Sequence, residues 1–262
     1  MFKFCSLYSG SSGNCSLVQT ETTKILIDAG ESTKKITEAL NSINVDPKDI
    51  NGIIITHEHS DHTKGLGNFS KKYNTPVYAN KETWNAMLTQ KEKIQEENIN
   101  YFTFEEFKIG DIEIKAFPIP HDAANPCGFN IYHKKKKMSI VTDIGHMNKE
   151  IISNLEKSSF LLLESNYEPE VLKCSPYPYL LKKRIEGPNG HLSNIDAGKT
   201  ISYLSRCGLK NVMLGHLSKE NNFPELAYKT VLNELIENKV NENIESLNVA
   251  SRYGVSQIID IS

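Results

Sequence analysis

The chain has 262 residues, enough for one large domain or two small ones, and its composition is ordinary, with 24% charged and 39% hydrophobic residues. The formal net charge of −2 excludes a polycationic protein, so any surface for nucleic acid must be local. No run of eighteen apolar residues and no signal-peptide pattern occurs, so no membrane partner is expected. The five cysteines are odd in number and widely spaced, which favours free thiols and a cytoplasmic location.

Short strands and amphipathic helices alternate in the first half of the chain. Residues 2–30 predict three strands with a turn rich in Gly and Ser between the first two, and residues 31–43 predict a helix. Residues 53–55 predict a buried strand, residues 74–88 a strand and then a helix, and residues 101–119 antiparallel strands. The hairpins do not suit a doubly wound parallel sheet.

The second half continues in the same way, without a linker or a low-complexity tract. We therefore expect one domain over 1–262, built of two similar halves at roughly 1–145 and 146–262, in the α/β class. Two mixed sheets packed face to face, with helices outside, fit this pattern best. The predicted elements are a hairpin over 128–145 with Lys134 to Lys137 at its tip, a buried strand over 160–165, a helix over 193–207, a buried strand over 211–216, a helix over 224–238, and closing strands over 247–261.

The buried strand at 53–55 leads into the sequence HEHSDH. His57 and His59 share one side of an extended chain, and Asp61 and His62 begin the following turn or helix. Neutral imidazoles and carboxylates are the usual ligands of borderline divalent metals, and this spacing can serve two neighbouring ions. The sequence therefore predicts a dinuclear metal site, because the pattern is too specific to be a chance feature of a polar loop.

Further candidate ligands follow other predicted strands. His121 comes after AFPIP, Asp143 after MSIVT, and His216 after NVMLG. Each alone has a plain alternative, such as a capping aspartate or a surface histidine, but together they place a ligand at one sheet edge. Asp28, after ILI, is assigned to orienting the ligand histidines.

The stretches LIDAG and THEHSDH, with the three later strand-end residues, resemble the metallo-β-lactamase superfamily over nearly the whole chain. The resemblance implies a four-layer αββα sandwich of two mixed β-sheets flanked by helices. It implies two divalent ions, with zinc or manganese expected and iron as an alternative. One ion would be held by His57, His59 and His121, the other by Asp61, His62 and His216, with Asp143 bridging both.

Four stretches, YSGSSGNCSLV, HDAANPCGF, GPNGHLSN and GHLSKENN, are similar to the WalJ (YycJ) branch of the superfamily. That branch consists of DNA exonucleases, so the resemblance implies a hydrolase of DNA phosphodiesters acting 5′ to 3′. One departure is His146, where a tyrosine-like residue is usual. A ribonuclease, a hydrolase of small esters, thioesters or lactams, and a non-enzymatic binding module with a vestigial site are alternatives, because a metal pair alone does not select a substrate.

A strand-end glutamate, Glu164, and a histidine just before a predicted helix, His191, resemble the ribonuclease Z pattern. The resemblance implies that His191 donates a hydrogen bond or proton to the phosphate or leaving oxygen while Glu164 holds its tautomer. Together with Asp61 these are the candidate catalytic residues.

The spacing of the candidate ligands excludes two known attachments of this superfamily. Only 21 residues separate His121 from Asp143, which leaves no room there for an arm that grips transfer RNA. The 72 residues between Asp143 and His216 are filled by ordinary elements, so no β-CASP-type insert of the ribonuclease J enzymes is expected.

Candidate substrate contacts other than His191 depend on weaker patterns. Ser11 and Ser12 could offer hydroxyl and backbone groups to a phosphate, although a plain hairpin turn is the competing interpretation. Ser193 and Lys219 follow His191 and His216, and Asp122 is expected beside His121 as an orienting carboxylate. A solvated surface or loop packing is the alternative for the remaining candidates, Lys182, Lys183, Arg184, Tyr177 and Tyr179.

Overall fold

The computed structural model describes residues 1–261 of the chain, and its strands follow the order expected from the sequence. They are β1 (Lys3–Tyr8), β2 (Cys15–Gln19), β3 (Lys24–Ile27), β4 (Gly52–Ile54), β5 (Val77–Ala79), β6 (Ile99–Tyr101), β7 (Glu106–Ile109), β8 (Ile112–Pro118), β9 (Cys127–His133), β10 (Lys136–Val141), β11 (Phe160–Glu164), β12 (Asn211–Gly215), β13 (Ser246–Val249) and β14 (Ile259–Asp260).

The helices connect these strands, and several begin at a residue whose side chain accepts a backbone N–H. Ser32, Asn80, Asn148 and Ser193 cap their helices in this way. None of the helices within residues 1–261 has the length and apolarity to span a bilayer. They are α1 (Thr33–Ser42), α2 (Ser60–Thr63), α3 (Leu66–Tyr73), α4 (Lys81–Ala86), α5 (Leu88–Lys91), α6 (Lys149–Leu155), α7 (Pro169–Cys174), α8 (Tyr179–Ile185), α9 (Asn194–Arg206) and α10 (Pro224–Glu237).

The strands form two seven-stranded sheets, and each sheet is mixed. The first has the order β14-β1-β2-β3-β4-β5-β6, and the second β13-β12-β11-β10-β9-β8-β7. In the first sheet β1, β2 and β3 pair antiparallel, while β3 to β6 pair in parallel. In the second, β7 to β10 pair antiparallel and β10 to β13 pair in parallel. The parallel strands of each sheet therefore end at a common edge.

Apolar side chains fill three layers between and outside the sheets. Phe4 of β1 and Phe160 of β11 meet between the sheets, with ring centroids 4.8 Å apart. Leu40 of α1 and Trp84 of α4 pack on the outer face of the first sheet. Ile201 of α9, with other residues of α6 and α10, packs on the outer face of the second. Helices thus flank two stacked sheets, and the αββα sandwich predicted from the sequence is confirmed.

The hairpin between β9 and β10 differs from the expectation that four lysines form its tip. Lys134 and Lys135 form the turn, whereas Lys136 and Lys137 belong to β10. The half-buried Nζ of Lys137 donates to the carbonyl of Asn154 at 2.5 Å, at the end of α6. Burial lowers the pKa of Lys137 to about 8. The expectation was wrong for Lys137, because its ammonium group caps a helix end.

Candidate metal centre

Three acidic or histidine residues at strand ends adopt left-handed backbone conformations. Asp28 directly follows β3, His216 directly follows β12, and Asp143 follows β10 by two residues, with φ of 61°, 54° and 58°. All three are buried. Such φ values are uncommon for residues other than glycine, and they cluster at functional sites. At each of these residues the chain has left its strand, while the side chain stays buried at the end of the sheet.

The first group of donors consists of His57, His59 and His121, whose ligand atoms lie within 4.8 Å of one another. The Nε2 atoms of His57 and His121 are buried and have no hydrogen-bond partner. Burial lowers the pKa of both imidazoles, that of His57 to well below its ordinary value. These rings are therefore neutral at pH 7 and can offer a lone pair to a cation.

A hydrogen bond at Nδ1 of each ring fixes the tautomer in which Nδ1 carries the proton and Nε2 has a free lone pair. The Thr56 hydroxyl donates to Asp28 Oδ2 at 2.9 Å, so its oxygen is left to accept from Nδ1 of His57 at 3.0 Å. His121 Nδ1 donates to the carbonyl oxygen of Gly190 at 3.1 Å. Nε2 of each ring therefore carries no proton and faces the other candidate metal ligands of the group.

The second group consists of Asp61, His62 and His216, and it is strongly charged. Nε2 of His216 lies 3.6 Å from Asp61 Oδ2, and so does Nε2 of His62. Burial alone would lower the pKa of His216, but Asp143, Asp61 and Glu164 raise it to about 10. Burial alone would raise the pKa of Asp61, but His62 and His216 lower it below its usual range. The carboxylate is therefore ionised and available as a ligand, whereas His216 has to release its Nε2 proton to bind a metal ion.

Asp143 lies between the two groups. Its Oδ2 is 3.0 Å from Nε2 of His62, and its Oδ1 is 3.5 Å from Nε2 of His216 and 3.7 Å from Nε2 of His121. Burial alone would raise the pKa of Asp143, but His216 and His62 hold it well below its usual range. One ionised carboxylate therefore faces imidazoles of both groups.

These seven side chains fit divalent metal ions. Buried nitrogens without a partner are costly unless something binds them, and Nε2 of His57, His121 and His216 are all of this kind. The seven side chains form three groups of possible ligands, and a fourth group joins Asp143 and His216 to Glu164 and His191. Imidazole and carboxylate donors at this density suit zinc, manganese or iron.

Asp28 holds the site together from behind. Its Oδ2 accepts from Nδ1 of His62 at 2.8 Å, and its Oδ1 accepts from the backbone N–H of Thr56 at 2.9 Å. Thr56 is absent from the predicted site, although its place between the strand and the first histidine was a usable signal. Asn14, whose Nδ2 lies 3.1 Å from Nε2 of His62, could not be predicted, because nothing in the sequence connects that loop with the motif.

Glu164, wholly buried at the end of β11, links the metal-donor groups to His191. Its Oε1 accepts from Nδ1 of His191 at 2.9 Å and from Nδ1 of His216 at 2.7 Å. Its Oε2 accepts the backbone N–H groups of Ile144 and Leu192. Burial alone would raise the pKa of Glu164, but the two imidazoles lower it to about 2. His191 thus has a fixed Nδ1 proton, and its Nε2 is left for a substrate.

His191 lines a cavity of about 180 Å³ next to the metal-donor groups. Ser11 also lines it, whereas Ser12 is exposed and lies outside the lining. Asp122 places Oδ1 3.4 Å from Nε2 of His121, and its Oδ2 accepts from Nε of Arg184 at 2.6 Å. Asp122 therefore lies beside Nε2 of His121, the atom that could bind a metal ion. The expected role of orienting the ring belongs to the Gly190 carbonyl, at Nδ1.

Two predicted substrate contacts lie apart from this cavity. Ser193 is buried and occupied as the cap of α9, because its hydroxyl donates to Asp196 Oδ2 at 2.8 Å and accepts from the Asp196 N–H at 3.1 Å. Lys219 is exposed and lines a neighbouring groove. Two residues that support His216 escaped sequence analysis: Ser9 Oγ accepts its backbone N–H, and Asn166 Nδ2 donates to its carbonyl.

Comparison with known proteins agrees with this geometry. The model of the metallo-β-lactamase superfamily matches residues 8–179. Exodeoxyribonuclease WalJ of Streptococcus pneumoniae is 40% identical over 89% of this chain and 88% of its own length. Exodeoxyribonuclease YycJ of Bacillus anthracis is 37% identical over 90% of this chain and 89% of its own. The crystal structure of the Bacillus subtilis metallo-β-lactamase fold protein YhfI covers 98% of this chain and 100% of its own, with a TM-score of 0.71 and 16% identity.

The chain belongs to the metallo-β-lactamase superfamily. The likeness to YhfI at 16% identity concerns the fold alone, whereas the likeness to the two exodeoxyribonucleases extends over nearly the whole of each chain.

Proposed function

We propose that the protein is a metal-dependent phosphodiesterase that hydrolyses DNA, as an exodeoxyribonuclease acting from 5′ to 3′. The observation that carries the proposal is His191, held by Glu164 in a cavity directly beside the two groups of metal donors. The two relatives named exodeoxyribonuclease, at 40% and 37% identity, support DNA as the substrate. The polarity follows from the family resemblance.

In this proposal the cofactor is a pair of divalent ions, either zinc or manganese, with iron as a third candidate. When bound, they neutralise charge on the phosphoryl oxygens and make a water more acidic. His57, His59 and His121 would hold one ion, Asp61, His62 and His216 the other, and Asp143 would contact both.

The side chains around the ions have separate roles. His191 donates a hydrogen bond or a proton from Nε2 to the phosphate or leaving oxygen. Glu164 keeps Nδ1 of His191 protonated. Burial alone would lower the pKa of His191, but Glu164 raises it, which favours the proton-donating form. Asp61, whose side chain is 23% exposed while that of Asp143 is 3% exposed, is the carboxylate that can accept a hydrogen bond from an attacking water.

The single-domain organisation over 1–262 stays a prediction from the uninterrupted sequence pattern. The cytoplasmic location is proposed from the free cysteines, since all five thiols are unpaired.

The test uses end-labelled single-stranded DNA, duplex DNA and matched RNA, with Mn²⁺, Zn²⁺ or Fe²⁺ added. The parent protein should release label from DNA faster than from RNA, and Asp61→Ala should lower the rate at least about a hundredfold. Glu97→Ala, at an exposed carboxylate in the Glu96–Asn98 turn, is the matched control. Absence of label release with every metal, or equal rates for Asp61→Ala and the parent, would refute the proposal.

A further inference from the structure

A second concavity lies directly beside the His191 cavity. It is a groove of about 460 Å³ between the loop after β12, the start of α10 and the segment after β13. Ser218 lines both concavities, so the groove continues from the candidate site. We call it the aromatic groove, after two of its lining residues, Phe223 and Tyr253.

Both aromatic side chains of the groove are turned toward solvent. Phe223 is 52% exposed and Tyr253 is 75% exposed. Phe223 immediately precedes α10, whose inward face is formed by Ala227 and Val231, so Phe223 is not part of the core. Burying an aromatic ring stabilises a fold, and neither ring gives this fold that stabilisation. Their exposure is better explained by a ligand than by folding.

The groove carries two cationic side chains, and hydrogen bonds join its wall to the metal centre. Lys219 and Arg252 line it, and among the described residues that line it none is acidic. Arg252 Nη2 donates to the carbonyl oxygen of Leu217, and its guanidinium lies 5.9 Å from the centre of the Tyr253 ring. These contacts hold the segment that carries Tyr253 in place.

Ser9 connects the groove wall to a metal-donor histidine. Its Oγ accepts the backbone N–H of His216 at 2.8 Å, and its own N–H donates to the carbonyl of Ser251 at 3.1 Å. A strand bound in the groove would therefore be held at a fixed distance from the reacting phosphate.

We propose that the aromatic groove binds unpaired nucleotides of the DNA strand adjoining the scissile phosphate, with bases stacked on Phe223 and Tyr253 and a phosphate near Lys219. This inference rests on the proposed nuclease function. Exposed aromatic rings beside cations match the chemistry of single-stranded nucleic acid. No described lining residue is acidic, and Glu220, outside the lining, has Oε1 3.8 Å from Lys219 Nζ. Stacking accepts any base, as an enzyme that digests a strand of arbitrary sequence requires.

The test measures binding of a fluorescent phosphorothioate oligothymidylate, which resists cleavage. Phe223→Ala and Tyr253→Ala should each weaken its affinity at least about fivefold, the loss expected for one stacked base. Tyr203→Ala, which removes an exposed aromatic of α9 outside the groove, should bind like the parent. Phe223→Trp should keep the affinity, and the introduced indole should be quenched on binding, against the weak background of the buried Trp84.

The results separate the groove from the nuclease. If the parent releases label and both alanine variants bind the oligonucleotide as tightly as the parent, the proposed strand binding in the aromatic groove is refuted. The proposed nuclease activity is then retained. Loss of affinity in both variants and quenching in Phe223→Trp, without label release by the parent, would support the groove and count against the nuclease. A change of molecular mass in solution for Phe223→Ala, with unchanged oligonucleotide affinity, would assign the groove to a second copy of the chain and overturn the inference.

Discussion

His191 and His216 hydrogen-bond to the same atom, Oε1 of Glu164, at 2.9 and 2.7 Å. A carboxylate can only accept, so both rings donate from Nδ1 and present Nε2 on the other side. One buried charge therefore orients both a proposed proton donor and a proposed metal ligand. Changing His191 and changing Glu164 should consequently have different effects.

Replacing His191 by alanine should remove the proton donor and leave the metal donors in place. We expect kcat for DNA cleavage to fall about 10²- to 10⁴-fold, the usual contribution of a positioned acid or base. The metal content measured by elemental analysis should equal that of the parent. Loss of an ion in His191→Ala would instead identify His191 as a ligand.

Glu164→Gln should impair both cleavage and stability. Oε1 accepts two imidazole N–H groups and Oε2 accepts the N–H groups of Ile144 and Leu192, so either orientation of the amide leaves its NH₂ group facing donors. Each unpaired buried donor costs about 1–3 kcal/mol. Urea unfolding should therefore show a loss of at least about 1 kcal/mol, together with weaker metal binding. A variant as stable as the parent would contradict this account.

Asp28→Asn tests whether the carboxylate behind the metal donors tunes them. The change removes the charge that accepts the Nδ1 proton of His62 and the hydroxyl proton of Thr56. Loss of such a partner typically weakens metal binding about 10- to 100-fold. Competition with a chromogenic chelator measures the affinity. Equal affinity of the variant and the parent would show that His62 needs no support from Asp28.

The clustering of the candidate metal donors could be predicted because each one lies in a segment that follows an apolar strand. Asp143 and His216 lie far apart in sequence, yet the parallel pairing of β10, β11 and β12 brings their ends together. The Gly190 carbonyl that orients His121 could not be predicted, since every residue has a carbonyl and only the folded loop shows where it points. The hydrogen bond between Glu164 and His216 could not be predicted either, because the sequence does not show which side chains come within bonding distance.

The close packing behind the HEHSDH motif gives a fourth prediction. A Cβ on Gly30 would lie 1.6 Å from the carbonyl oxygen of Asp61 and 2.6 Å from the backbone N of Asn14. Gly30→Ala should therefore displace the Asp61 segment, lower the free energy of unfolding by about 1–3 kcal/mol, and weaken metal binding. Gly254→Ala, where a Cβ meets nothing within 4 Å, is the matched control. Equal stability of the two variants would contradict the packing argument.

Asp111, beside the turn between β2 and β3, should make stability depend on acid pH. Burial alone would raise its pKa, but hydrogen bonds with Thr23 and Thr20 lower it to about 2. Because the unfolded value is about 3.9, Asp111 stabilises the fold above pH 4, and this contribution disappears as pH falls toward 2. Asp111→Asn should cost up to about 1 kcal/mol at pH 6, since the side chain is 38% exposed. Urea unfolding should show a smaller loss of unfolding free energy for Asp111→Asn at pH 3 than at pH 6. An equal loss at both pH values would refute the role of Asp111.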